Sequence, residues 1–334
     1  MDQVIKPWRK VAIIFPGQGS HSVGMGERLA KVSRAARDIF KRADEVLDMQ
    51  LSKLCFEGPL EELEQTINQQ PATFVTSIAW MAAAQERFAA IDRKLEPIFL
   101  AGHSMGEFTA AVAANSISFE EGLLLVRERG VLMEEAGKEN PGGMASILGL
   151  PESKVAEICT ELNDPGRGSE GYIGLATINC DGQTTISGGL RPLKLAMELA
   201  DKAGARRVVR LPITIASHSP LMARASEGMN RLLQKLPMRD PAQPIVGNVN
   251  ADILDTQPEV YAELRDQLLC GVRWQKSIEQ MTSAGVDMFI EAGPGNVLTR
   301  LVRRINYDVN SLSLSDDYEG LLGERFQLVE AAAL

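Results

Sequence analysis

Pro97-Ile-Phe-Leu-Ala-Gly-His-Ser104-Met-Gly-Glu-Phe-Thr-Ala-Ala111 is the stretch that decides how this chain folds. It opens as a short apolar run of strand length and closes Ala-rich and helix-forming, with one serine at the bend. That is the G-x-S-x-G pattern of a nucleophile elbow. A sharp strand-to-helix turn leaves no room for side chains two residues to either side of the serine, so glycine stands at Gly102 and Gly106. The turn exposes the hydroxyl and aims the next backbone N–H groups, at a helix start, towards developing negative charge. A serine that merely caps a helix behind a core strand is the plainer alternative.

Working outward, Lys10-Val-Ala-Ile-Ile-Phe15 is a second buried run, ending in the glycine loop Pro16-Gly-Gln-Gly-Ser20. Helical periodicity follows from about Gly26 to Val46 and from Pro59 to Thr66, and Pro71 to Ala90 reads as a long helix. The elbow comes next, then a helix from Phe119 to about Gly137. Strand and helix alternating in this way predict an α/β fold with a mostly parallel sheet covered on both faces. At Asn140-Pro-Gly-Gly143 the texture changes. Strands are expected at Met144–Leu150, Ile173–Asn179, Thr184–Ser187 and Arg207–Leu211, with helices at Glu152–Leu162 and Arg191–Ala203 and a turn cluster at Asp164–Ser169. That β-α-β-β-α-β order is the ferredoxin-like unit. It predicts a small subdomain over 140–210 inserted into a large domain of 1–139 and 211–334. The chain then returns to the large body with Pro244–Val249, Val286–Glu291 and a helix from Asn296, followed by alternation at Ser311–Leu314 and a short amphipathic helix.

Composition narrows the function classes. A net charge of −9 argues against nucleic acid as the main partner. No apolar run approaches the roughly 18 residues that span a bilayer, and Met1–Lys10 lacks the apolar core of a secretory signal. Cys55, Cys159, Cys180 and Cys270 make no metal-ligand or redox spacing, which fits reduced core thiols and a cytoplasmic address. No metal or cofactor is expected. Arg300, Arg303 and Arg304 form a local basic run, for which a solvated helix face is the plain reading.

A serine hydroxyl needs a base, and the chain has three histidines. His103 adjoins the serine on an extended strand and points to the opposite face, and His21 lies in the first glycine loop. His218, in Pro212-Ile-Thr-Ile-Ala-Ser-His-Ser-Pro220 where the subdomain hands the chain back, is the base by elimination. A group near Gln267 or Asn250 would hold its other ring nitrogen. The oxyanion of acyl transfer wants two N–H donors: Met105, after the serine, and a second from Gly17-Gln18-Gly19. On the helix 119–137, Gly122, Leu125, Val126, Arg129, Leu132 and Met133 share one face. An arginine inside that apolar stripe calls for an anionic partner, and its planar fork suits a carboxylate. The plain alternative is a stem that covers the stripe while the head reaches water.

Phe15-Pro-Gly-Gln-Gly-Ser20, Gly102-His-Ser-Met-Gly-Glu107, Arg129-Gly130, Ser217-His218, Gln267, Trp274 and Glu291-Ala-Gly-Pro-Gly-Asn-Val-Leu298 stand in an order and spacing that resemble the malonyl-CoA:acyl carrier protein transacylases. More widely, they resemble the acyltransferase domains of fatty acid and polyketide synthases. The likeness spans about residues 10 to 307. It implies an α/β-hydrolase-like core with a ferredoxin-like subdomain, Ser104 as nucleophile and His218 as its base. It also implies oxyanion amides from Gln18 and Met105, Arg129 on the free malonyl carboxylate, and the Gln267 carbonyl orienting the histidine. The implied reaction is ping-pong, from malonyl-CoA through a malonyl-serine to the phosphopantetheine thiol of an acyl carrier protein. Carrier proteins of this kind are acidic, which gives Arg300, Arg303 and Arg304 a partner. A monomer is expected. The chain departs from the usual pattern at His21, where Gln is common, and at Met105, where Leu is common. Ser217 also occurs in methylmalonyl-selective domains, so a trans-acting methylmalonyl transferase and an acyl-carrier hydrolase are the alternatives.

Overall fold

The computed structural model describes residues 10–165 and 171–318. The reading of the segment before Lys10, most of the Asp164–Ser169 turn cluster and anything beyond Tyr318 lie outside the described residues. Among the described residues there are ten strands: β1 Val11–Phe15, β2 Phe99–Gly102, β3 Gly142–Leu148, β4 Ile173–Cys180, β5 Gln183–Gly189, β6 Arg207–Arg210, β7 Ile245–Val246, β8 Ile253–Leu254, β9 Met288–Glu291 and β10 Asn310–Ser313. They form two sheets, one of six strands in the order β10-β9-β1-β2-β7-β8 and one of four in the order β4-β5-β3-β6.

In the large sheet every pairing is parallel except β7 with β8 at one edge. Alternate residues of β1 feed two separate cores. Ile13 and Phe15 join the cluster under the helices Thr66–Ala89 and Phe119–Glu139, while Ala12 and Ile14 pack with Trp274, Ile278, Leu298 and Val302 on the other face. The period of two that sends neighbouring side chains to opposite faces explains why so short a run is apolar throughout. The four-stranded sheet is antiparallel throughout. Its two helices, Glu152–Leu162 and Leu190–Lys202, close a third core around Ile147, Val155, Ile158 and Leu193. That strand order and direction are those of the expected ferredoxin-like unit. A parallel bridge from Thr177 to Val272 and a hydrogen bond from Ile178 N to Val272 O (2.8 Å) join the small sheet to the large body.

Several boundaries differ from the sequence reading. The long helix begins at Thr66, not Pro71, and carries the proline inside it. Residues 68–81 are buried without a break, and their packing outweighs the one backbone donor that proline removes. The segment 26–46 is two helices, Glu27–Val32 and Arg34–Leu47, split at Ser33, whose extended backbone and side chain cap the second by accepting from Ala36 N. Only Leu60–Leu63 of the Pro59–Thr66 stretch is helical before the long helix starts. The helices Leu51–Glu57, Ala223–Leu233, Gln257–Asp266 and Trp274–Ser283 were not anticipated.

Candidate active site

The carboxyl ends of β1, β2, β7 and β9 converge, as ligand sites do in open parallel sheets. Ser104 follows β2 with φ of 52°, a left-handed backbone that a serine adopts only when its surroundings enforce it. The enforcement is visible at the flanking glycines. A Cβ on Gly102 would lie 1.9 Å from Gly106, and one on Gly106 would lie 2.2 Å from Phe15 O. Asn248, just past β7, pins the turn from beneath. Its side chain accepts from Ser104 N (2.7 Å) and donates to Gly102 O (2.7 Å).

Ser104 Oγ lies 2.8 Å from His218 Nε2. The other ring nitrogen of His218, Nδ1, is 3.0 Å from both Gln267 O and Cys270 O, so the proton sits on Nδ1 and Nε2 is left as acceptor. Asn250 is exposed and takes no part; Asn248 is the asparagine of this region that reaches the site. Burial, with the Arg129 cation close by, pushes His218 down to about 4, so it is neutral and basic at physiological pH. His103 is turned away from the serine. Its Nε2 meets Asn179 Oδ1 on β4 at 2.9 Å, and its ring packs on Trp274. His21 instead bonds Gln69 (2.7 Å) on the wall of a neighbouring cleft.

Arg129 is the largest buried polar residue of the site, 1% exposed on the inner face of its helix. Nη2 reaches Ser104 Oγ (3.3 Å) and Gln267 Oε1 (3.0 Å), and Nη1 reaches Gln70 Oε1 (2.8 Å) and the Met133 sulfur (3.1 Å). Among the described residues every one of these partners is neutral, and Nε has none. Burial lowers Arg129 to about 10, which leaves it cationic near neutrality. A buried guanidinium with no carboxylate among its hydrogen-bond partners, beside the Ser104 hydroxyl, can receive an anionic group of a ligand.

Ser104, His218, Gln18, Met133 and Ser217 line a cavity of 210 Å³ together with Thr177, Asn179 and Thr185 of the small sheet. Gln18 also borders a cleft of 1250 Å³ that holds His21 and runs outward along Leu211 to Ile215. The backbone N–H groups of Gln18 and Met105 make no hydrogen bond among the described residues; Gln18 lines the same cavity as the serine, and Met105 follows the serine as the N-cap of the next helix. The basic run rides on the helix Val297–Ile305, whose other face sends Val297, Leu298 and Leu301 into the cavity. Its three members differ. Arg303 is tied to Ser311 and Arg304 to Gln183 and Asp181, whereas Arg300 is exposed and its side chain carries no bond among the described residues.

The sequence reading did not assign Asn248, Glu263, Gln70, Asn179 or the Cys270 carbonyl. Gln70 carried a signal in hindsight: a polar pair, Gln69-Gln70, in a helix that is otherwise Ala-rich and aromatic. Asn248 sits at the end of a two-residue strand, too short for periodicity to mark.

A strained serine, a buried neutral histidine and unengaged amides define a serine-based acyl-transfer site. The chain belongs to the acyl transferase domain family, whose pattern it matches over residues 12–314. Within it the chain is similar to the malonyl CoA-acyl carrier protein transacylases: that of Bacillus subtilis is 39% identical over 307 residues, 92% of this chain and 94% of the other. The solved structure of the malonyl CoA-acyl carrier protein transacylase of Coxiella burnetii superposes with a TM-score of 0.86 at 31% identity, covering 94% of this chain and 96% of that one. A malonyl-transacylase solved in complex with a type II PKS acyl-carrier protein superposes with a TM-score of 0.85 at 33% identity, covering 91% of this chain and 96% of that one.

Proposed function

We propose that this protein transfers the malonyl group of malonyl-CoA to the phosphopantetheine thiol of an acyl carrier protein through an ester on Ser104. The observation that carries this reading is the Arg129 guanidinium, buried and without a carboxylate partner among the described residues, 3.3 Å from the Ser104 hydroxyl. A substrate whose reacting carbonyl sits on Ser104 and whose far end is a carboxylate satisfies both groups at once.

His218 Nε2 takes the Ser104 proton as Oγ attacks the thioester carbonyl. The N–H groups of Gln18 and Met105 hold the resulting oxyanion. The tetrahedral intermediate collapses, the C–S bond breaks, and the CoA sulfur leaves with the proton from His218. The imidazolium formed in between is held by the Gln267 and Cys270 carbonyls, which accept from Nδ1. The carrier's thiol then gives its proton to His218 and attacks the malonyl ester, and Ser104 leaves with that proton. Arg129 grips the distal carboxylate throughout, so the reacting carbonyl stays in register.

The small subdomain, 140–210, walls the cavity opposite the large domain of 1–139 and 211–334. The four cysteines are free, which suits the cytoplasm. Among the described residues no helix is long and apolar enough to cross a membrane.

The test is incubation with malonyl-, methylmalonyl- and acetyl-CoA followed by intact-protein mass. A malonyl adduct is expected, dischargeable by holo carrier protein and absent from Ser104→Ala. An adduct that persists at full yield in Ser104→Ala would remove the serine from its role. Rapid loss of the ester to water without a carrier would favour a hydrolase.

A further inference from the structure

Beneath the elbow lie two carboxyl groups that the transfer steps do not use. Glu107, in the first turn of the helix after Ser104, and Glu263, on the helix Gln257–Asp266, are both buried. Both accept from the same backbone donor, Asn248 N, at 2.9 and 2.6 Å, so the two carboxyl oxygens stand side by side. Two buried carboxylates at that separation do not both ionise; one proton is shared between them. Glu263 accepts from Val249 N as well (2.7 Å), and Glu107 from Asn248 Nδ2 (2.9 Å). Burial and the neighbouring Glu263 charge hold the Glu107 carboxyl well above the usual carboxylate range, consistent with Glu107 as the protonated member.

The second Glu107 oxygen accepts from Gln267 Nε2 at 2.5 Å, and Gln267 Nε2 also donates to Ser104 O (2.8 Å). An amide whose nitrogen is held by two acceptors must turn its oxygen the other way. That oxygen is the one Arg129 Nη2 donates to. We infer that Glu107 is a positioning residue for substrate selection: it fixes the orientation of the Gln267 amide, and through that amide the placement of the Arg129 guanidinium that reads the substrate carboxylate. Without an acceptor at Glu107 only Ser104 O holds the Gln267 nitrogen, and the amide can turn over. Its NH₂ then faces the guanidinium, donor against donor, and Arg129 is displaced from the nucleophile. Glu107 would also fail in this role if it carried a full negative charge, since it would compete with the substrate for Arg129.

The inference rests on the proposed role of Arg129, so the experiment separates the two. The ratio of malonyl to acetyl loading on Ser104 is measured in Arg129→Ala, Gln267→Ala, Glu107→Ala and the double variant Glu107→Ala/Gln267→Ala. Glu107→Met takes the place of Glu107→Ala if that variant does not fold. Arg129→Ala is expected to lose the malonyl preference. Glu107→Ala is expected to lower the ratio on the order of tenfold, Gln267→Ala by a similar factor, and the double variant by no more than the larger single. If Arg129→Ala keeps the preference, both the Arg129 reading and this inference fall. If Arg129→Ala loses it but the Glu107 and Gln267 losses multiply, the inference alone is overturned. A merely structural Glu107 would lower malonyl and acetyl loading together and leave the ratio unmoved.

Discussion

The Arg129 guanidinium and the Ser104 hydroxyl are hydrogen-bond neighbours at 3.3 Å, although 25 residues and a whole helix separate them in the chain. The sequence placed Arg129 in an apolar stripe with two possible outcomes, a head group in water or one turned inward. It turns inward, because Gln70, Gln267 and Met133 supply enough polar contact to hold it without neutralising it.

Arg129→Ala is therefore expected to lose a charge-assisted contact worth about 2–4 kcal/mol, or roughly 30- to 1000-fold in kcat/KM for malonyl-CoA. Acetyl transfer, which never uses the contact, should be spared or improved. Steady-state kinetics with the two thioesters decide the matter. A variant with an unchanged malonyl preference would mean that another residue reads the carboxylate.

The histidine makes a second prediction. His218 must be neutral to accept the serine proton, and burial together with Arg129 lowers it from 6.5 to about 4 in the free enzyme. Activity is thus retained through the usual histidine range and lost only as pH falls towards 4. The profile of kcat/KM, which reports the free enzyme, checks this between about pH 4 and 8 with circular dichroism confirming the fold at each point. An acid limb centred near 6.5 would show that the ring is far more solvated than its position implies.

The basic helix separates into parts with different expected effects. The Arg300 side chain is exposed and unbonded among the described residues, so Arg300→Glu should raise KM for an acidic carrier protein several-fold while leaving malonyl loading from CoA unchanged. Salt should narrow the difference between the two proteins. Arg304→Ala, by contrast, cuts bonds to Gln183 and Asp181 in the small sheet and is expected to act on both half-reactions. Equal effects of the two substitutions on loading would argue against a carrier-facing role for Arg300.

How much of this was legible beforehand follows from the range of each signal. The elbow, the buried strands β1 and β2 and the βαββαβ order are local patterns, and each fell within a few residues of its expected place. Pro71 misled because proline's local cost says nothing of the packing that offsets it. Ser33 split a helix because its capping preference outweighed an otherwise continuous periodicity. At the site, Ser104 and His218, which stand 2.8 Å apart, could be paired in advance because few residues of those types qualify. The Gln267 side chain, Asn248 and the paired glutamates could not, since their work lies in contacts between β7, the elbow and a helix more than 150 residues further on. No spacing rule joins such distant stretches.

The attacking alcohol and its base belong to one body, whereas Met144, Thr177, Asn179, Gln183 and Thr185 reach the cavity from the other. Part of the acyl-group fit is thus written in a portion of the gene separate from the one that encodes reactivity. Exchanging strands of the four-stranded sheet offers a route to new building blocks that leaves the bond-making apparatus untouched.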